Sequence, residues 1–147
     1  MIVTRALLAT LLLAFMGCQQ SPEQAHQQLG RLDIQFDREV FIDSIRKGNV
    51  VVVKLFLASG MDPNTEVRYA NDEDTERSAL DMFLQEAGID FRIKGTVLHL
   101  AARLKLPLVV RTLLDAGADA NAEDDAEKRA IDYVDEQTEV YELLRQV

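Results

Sequence analysis

Along the chain, apolar residues recur at helical spacing in short blocks separated by Gly, Asp and Asn. Residues 40–64, VFIDSIRKGNVVVVKLFLASGMDPN, hold two apolar runs parted by Arg46-Lys47-Gly48-Asn49. Residues 97–121, VLHLAARLKLPLVVRTLLDAGADAN, align with them without a gap, so that Arg103 stands where Arg46 does and Gly117 where Gly60 does. The spacing predicts two short helices per block. Leu98, Ala101 and Ala102 form the apolar stripe of one, and Val109, Val110, Leu113 and Leu114 that of the other. Gly60 and Gly117 fall where each second helix ends in a left-handed turn, which a side chain disfavours. Pro107 lies at a helix start, where its missing N–H costs little. Helices of about nine residues are marginal alone, so the predicted core comes from stacking one pair on the next. A third, shorter copy begins at Ala130-Ile131-Asp132-Tyr133-Val134, and its 140–144 run matches 110–114.

Three stretches fall outside this pattern. Residues 6–16 are uncharged and almost wholly apolar behind Arg5, too short to span a bilayer, which takes roughly 20 apolar residues. Gly17 and Cys18, the chain's single cysteine, follow. The layout of a charged start and a short apolar run is that of a secretory signal, and Phe15-Met16-Gly17-Cys18 resembles a bacterial lipoprotein signal. Phe15 and Met16 depart from the commonest form of that motif, where Leu and a smaller residue stand. The resemblance implies removal of residues 1–17 and acylation of Cys18; an ordinary signal cut elsewhere would leave a free thiol instead. Residues 19–30, QQSPEQAHQQLG, are Gln-rich without apolar period and read as part of a tether over 18–34, with His26 solvated. Extended, 19–30 would reach ~40 Å.

The third exception is 65–95. Ser78-Ala79-Leu80-Asp81-Met82-Phe83-Leu84-Gln85-Glu86 reads as a further helix with Ser78 as N-cap and Leu80, Phe83 and Leu84 buried. Two organisations fit: a degenerate repeat lacking its second helix, or a hairpin enlarged into a finger. The finger is favoured, since only a short span separates Ser78 from Thr96.

Thr96-Val97-Leu98-His99-Leu100-Ala101-Ala102 resembles the ankyrin-repeat signature T-P-L-H-x-A-A, with Val97 in place of proline, and 108–121 is similar to that family's second helix and loop. Arg129 lies one 33-residue ankyrin period beyond Thr96. The resemblance implies an all-α, short ankyrin-repeat solenoid over 35–147, with repeats at about 38–64, 96–121 and 129–147. It also implies that Thr96 and His99 hydrogen-bond within the turn and fix the start of the first helix. Asp124 falls where ankyrin hairpins commonly carry Asp, and Glu127 occupies the usual glycine position.

Composition narrows the chemistry. With 16 basic and 25 acidic residues the net charge is −9, and removing Arg5 with the signal makes it −10. Duplex nucleic acid, which requires a clustered basic face, is thereby excluded as a partner. One cysteine and two histidines exclude a disulfide framework and a closed zinc site. The acidic run Asp72-Glu73-Asp74-Thr75-Glu76 begins like a calcium loop, but Arg77 and Phe83 stand where Gly and Glu are needed. It reads, like Glu123-Asp124-Asp125, as a solvated face. No nucleophile motif, H-E-x-x-H or Gly-rich phosphate loop occurs, so neither catalysis nor a cofactor is expected.

What remains is a binding scaffold. The family resemblance places recognition on first-helix faces and hairpins, here Arg46, Lys47, Arg103 and Lys105, with Glu66, Arg68, Tyr69, Glu123, Asp124 and Asp125 near the tips. A negative field favours a protein partner with a basic patch. The expected role is a lipid-anchored module at the inner leaflet of the outer membrane, facing the periplasm and restraining an envelope-targeting enzyme or toxin. Support of an envelope enzyme or oxidative-stress response, and a small-ligand or enzymatic site in 65–95, are the alternatives.

Overall fold

The computed structural model describes residues 21–67 and 94–147. Their elements run α1 (Pro22–Arg31), α2 (Arg38–Arg46), α3 (Val50–Ala58), β1 (Glu66–Val67), β2 (Gly95–Thr96), α4 (Val97–Arg103), α5 (Pro107–Asp115), a 3-10 turn (Ala130–Tyr133) and α6 (Glu139–Arg145). The two blocks of the sequence repeat become two helix pairs, α2–α3 and α4–α5. Neighbouring pairs pack directly, α2 on α4 and α3 on α5, and α5 then packs on α6. This is an all-α solenoid of stacked ankyrin-type helix pairs.

Local chemistry sets the ends of each helix. The Asp37 carboxylate accepts from the Glu39 N–H at 2.8 Å to open α2, and the Asn49 side chain accepts from the Val52 N–H at 3.3 Å to open α3. Gly60 and Gly117 close α3 and α5 at φ +97° and +91°, a region that costs little without a Cβ. Phe41, Ile45, Val53, Phe56, Leu98, Val109, Val110 and Leu113 are all fully buried in one continuous core. In the third copy the first helix shrinks to the 3-10 turn, because Val134 is already extended (φ −122°, ψ 147°).

The stretch expected to be a tether is a helix over residues 22–31. Ser21 caps it reciprocally with Gln24, each side chain accepting from the other's N–H at 3.3 Å, and Pro22 pre-sets the first turn. Two apolar residues one turn apart, Ala25 and Leu29, suffice to seat it on α3, and both are fully buried. His26 stays exposed but meets the Phe36 ring at 5.0 Å, which in turn stacks on Phe56 at 5.6 Å. Gln24 and Gln27 occupy the outer face, so the apolar side of the helix becomes legible once its partner α3 is present. Cys18 and the signal lie outside the described residues.

Candidate protein-interaction surface

The first helices of the repeats are held by the hairpins that precede them. β1 and β2 pair antiparallel, Glu66 with Thr96 and Val67 with Gly95. The same stem recurs in the next layer as a single antiparallel bridge between Glu123 and Arg129. The segment 68–93 therefore leaves and re-enters through one stem, and the repeats on either side of it touch directly. The stem and the direct contact of α2 with α4 put the two described repeats in adjacent layers. The helix expected at 78–86 lies outside the described residues, as do Arg68 and Tyr69.

His99 ties the two stems together. Its Nδ1 accepts from the Thr96 N–H at 3.1 Å, which leaves Nε2 to donate to the Lys128 carbonyl at 3.0 Å, and these partners assign the neutral tautomer. The Thr96 hydroxyl lies 3.0 Å from the same Nδ1. Gly95 passes so close that a Cβ there would meet the His99 ring at 3.1 Å and Asp124 at 3.2 Å. Arg129 and Asp132 repeat the Thr96–His99 device one period later, the Asp132 carboxylate accepting from the Arg129 N–H at 2.9 Å.

Asp124 corrects the sequence reading. Taken for part of a solvated acidic face, it is buried at 8% exposure. Its carboxylate accepts from the N–H groups of Ala126 at 2.8 Å and Lys128 at 3.1 Å, and from the Tyr133 hydroxyl at 2.5 Å. Burial by itself would raise this carboxyl, but the bonds from Tyr133, Lys128 and Ala126 outweigh it and hold the group below the ordinary carboxylate value. Burial and the same bond push Tyr133 up to about 12. The tight tip also explains Glu127, whose φ of +57° marks a glycine-like position. Asp124 is thus committed to the hairpin and is not available to a partner.

The other sequence candidates divide. Asp125 exchanges backbone and side-chain bonds with Lys94, donating its N–H to the Lys94 carbonyl at 3.1 Å and accepting the Lys94 N–H at 3.2 Å, and so pins the return of the long hairpin. Glu66 and Glu123 are exposed in their stems, where the Glu66 carbonyl accepts from Arg38. Lys47 pairs with Asp43 at 2.6 Å within its own helix. Arg46 and Arg103 are half-buried at matching ends of α2 and α4. Lys105 reaches Asp135 of the next layer at 3.1 Å from a backbone at φ +55°, where the equivalent residue of the first repeat is Gly48 at φ +64°.

Two surface contributors were missed. Tyr133 receives the Arg103 guanidinium over its ring at 4.9 Å and the Lys128 ammonium at 5.3 Å. An aromatic ring bracketed by cations at the inner end of the third copy joins the first-helix row of Arg46 and Arg103. The one sequence cue was Tyr133's place directly after Asp132, which stands one period beyond His99.

A family model described as Ankyrin repeat matches residues 95–125. No curated protein matches the chain. The matched span holds β2, α4, α5 and the start of the tight hairpin, so the sequence match and the stacked geometry describe one unit, an ankyrin-repeat scaffold of the kind that serves protein–protein interaction and is generally not enzymatic.

Proposed function

We propose that this protein is a non-enzymatic, lipid-anchored module that faces the periplasm and binds and restrains another protein of the cell envelope, an immunity or self-protection role. The observation that carries the binding half is the direct stacking of the helix pairs, which lines up equivalent first-helix positions along one face. Cys18 behind a short apolar run supports the anchor. The net charge favours a partner with a basic patch and speeds their encounter at low salt.

The test begins with Cys18→Ser in cells fed labelled fatty acid. Loss of label and release from the membrane are expected; label retained in the variant refutes the anchor. Capture of partners from envelope extracts by the intact protein, followed by assay of the captured enzyme, tests restraint. Reduced activity of that enzyme supports it, and raised or unchanged activity replaces it with an accessory role.

A further inference from the structure

We infer that the α1 end of the solenoid is its membrane-facing end, held against the lipid headgroups by a leash too short to let the domain turn over. The inference rests on acylation of Cys18. Between Cys18 and the N-cap Ser21 stand only Gln19 and Gln20. Three Cα steps of extended chain span about 10 Å, where the twelve-residue tether suggested by composition would allow ~40 Å.

The difference arises because α1 belongs to the domain. Ala25 and Leu29 are fully buried against α3. At the far end of the helix the chain continues without a break into the core, the Ile34 N–H donating to the Leu29 carbonyl at 3.0 Å and Phe36 stacking on Phe56. Lengthening the leash would mean stripping α1 from its seat. The outer face of α1 carries Glu23, Gln24, Gln27 and Arg31, all exposed, a polar surface suited to headgroups and not to the acyl layer. The stack then runs away from the bilayer in chain order, from α1 through α3 and α5 to α6.

The chain contains no tryptophan, so single substitutions give clean fluorescence donors. Acylated protein carrying Gln27→Trp or Gln146→Trp, both exposed positions, is reconstituted in phosphatidylcholine vesicles with a dansyl-labelled headgroup lipid. Energy transfer several-fold stronger from position 27 than from position 146 is expected, and a long flexible Gly-Ser linker placed between Gln20 and Ser21 should equalise the two. Equal transfer in the acylated protein without the linker overturns the inference and leaves the anchor standing. A mature chain whose mass shows no acyl group removes the anchor, and the inference with it.

Discussion

The two hairpins share a stem and differ in what closes it. In the second, five residues join Glu123 to Arg129, and the tip is held by a buried carboxylate that gathers two backbone N–H groups and a tyrosine hydroxyl. In the first, Val67 takes the place of Asp124 and is equally buried, and Gly95 takes that of Lys128. One tip is closed by polar bonds within itself. The other begins on an apolar residue, and at its return Lys94 is pinned by Asp125 of the neighbouring hairpin. The stem, fixed by His99, sets the solenoid, and the length of the tip is free to vary.

Removing the shared support should act on both hairpins at once. His99→Ala leaves the Thr96 N–H without its partner and takes from the Lys128 carbonyl one of its two donors, the Asp124 N–H remaining, and should cost about 1–3 kcal/mol in denaturant unfolding. A loss no larger than that of an exposed substitution would mean that the hairpins are held independently.

Asp124→Asn should cost about 1.5–3 kcal/mol, the worth of bonds to a charged acceptor, and alter the pH dependence. The lowered Asp124 carboxyl contributes stability that is present above 3.8 and lost as pH falls through its lower folded value. Tyr133, raised from 10.0 to about 12, contributes stability that is present below pH 10 and lost as pH rises towards 12. Both slopes should flatten in the variant, whereas Val67→Ala at the matching site of the first hairpin should shift stability equally at every pH.

Gly95→Ala pushes a methyl towards His99 and Asp124 and should cost about 1–3 kcal/mol. At the equivalent position of the tight hairpin, Lys128→Ala should stay within about 0.5 kcal/mol, since that side chain is exposed. Similar losses at both would erase the asymmetry.

No loss of folding stability is expected from replacing residues 68–93 with Asn-Gly. A shorter loop lowers the closure entropy, so stability should hold or rise by about 1–2 kcal/mol. Partner capture is expected to fall in the same variant. Unfolding would show that the finger supplies core.

The repeat was legible in the sequence because its apolar positions keep their spacing through both blocks, and even the turn glycines survive. The first helix was not, because its two buried residues sit among glutamines and the apolar surface they need belongs to α3. One local cue stood there all the same: Ser21 and Gln24 have the capping-box spacing. Asp124 was misread for a related reason. Its buried state depends on Tyr133, which reaches back from the following layer. Residues serving one layer by bonding the next are invisible to any window that stays within a repeat.

Asn64 shows how far such reach extends. Its side-chain oxygen accepts from the Asp119 N–H at 2.8 Å, while Asp62 and Asp119 shape their own loops by accepting from Asn64 at 2.8 Å and Asn121 at 2.9 Å. A single carboxamide thus ties the loop of one tier to the loop of the next. An extra residue in either Asp-x-Asn loop would pull that carboxamide out of register with the Asp119 N–H and uncouple the two loops while leaving each helix intact.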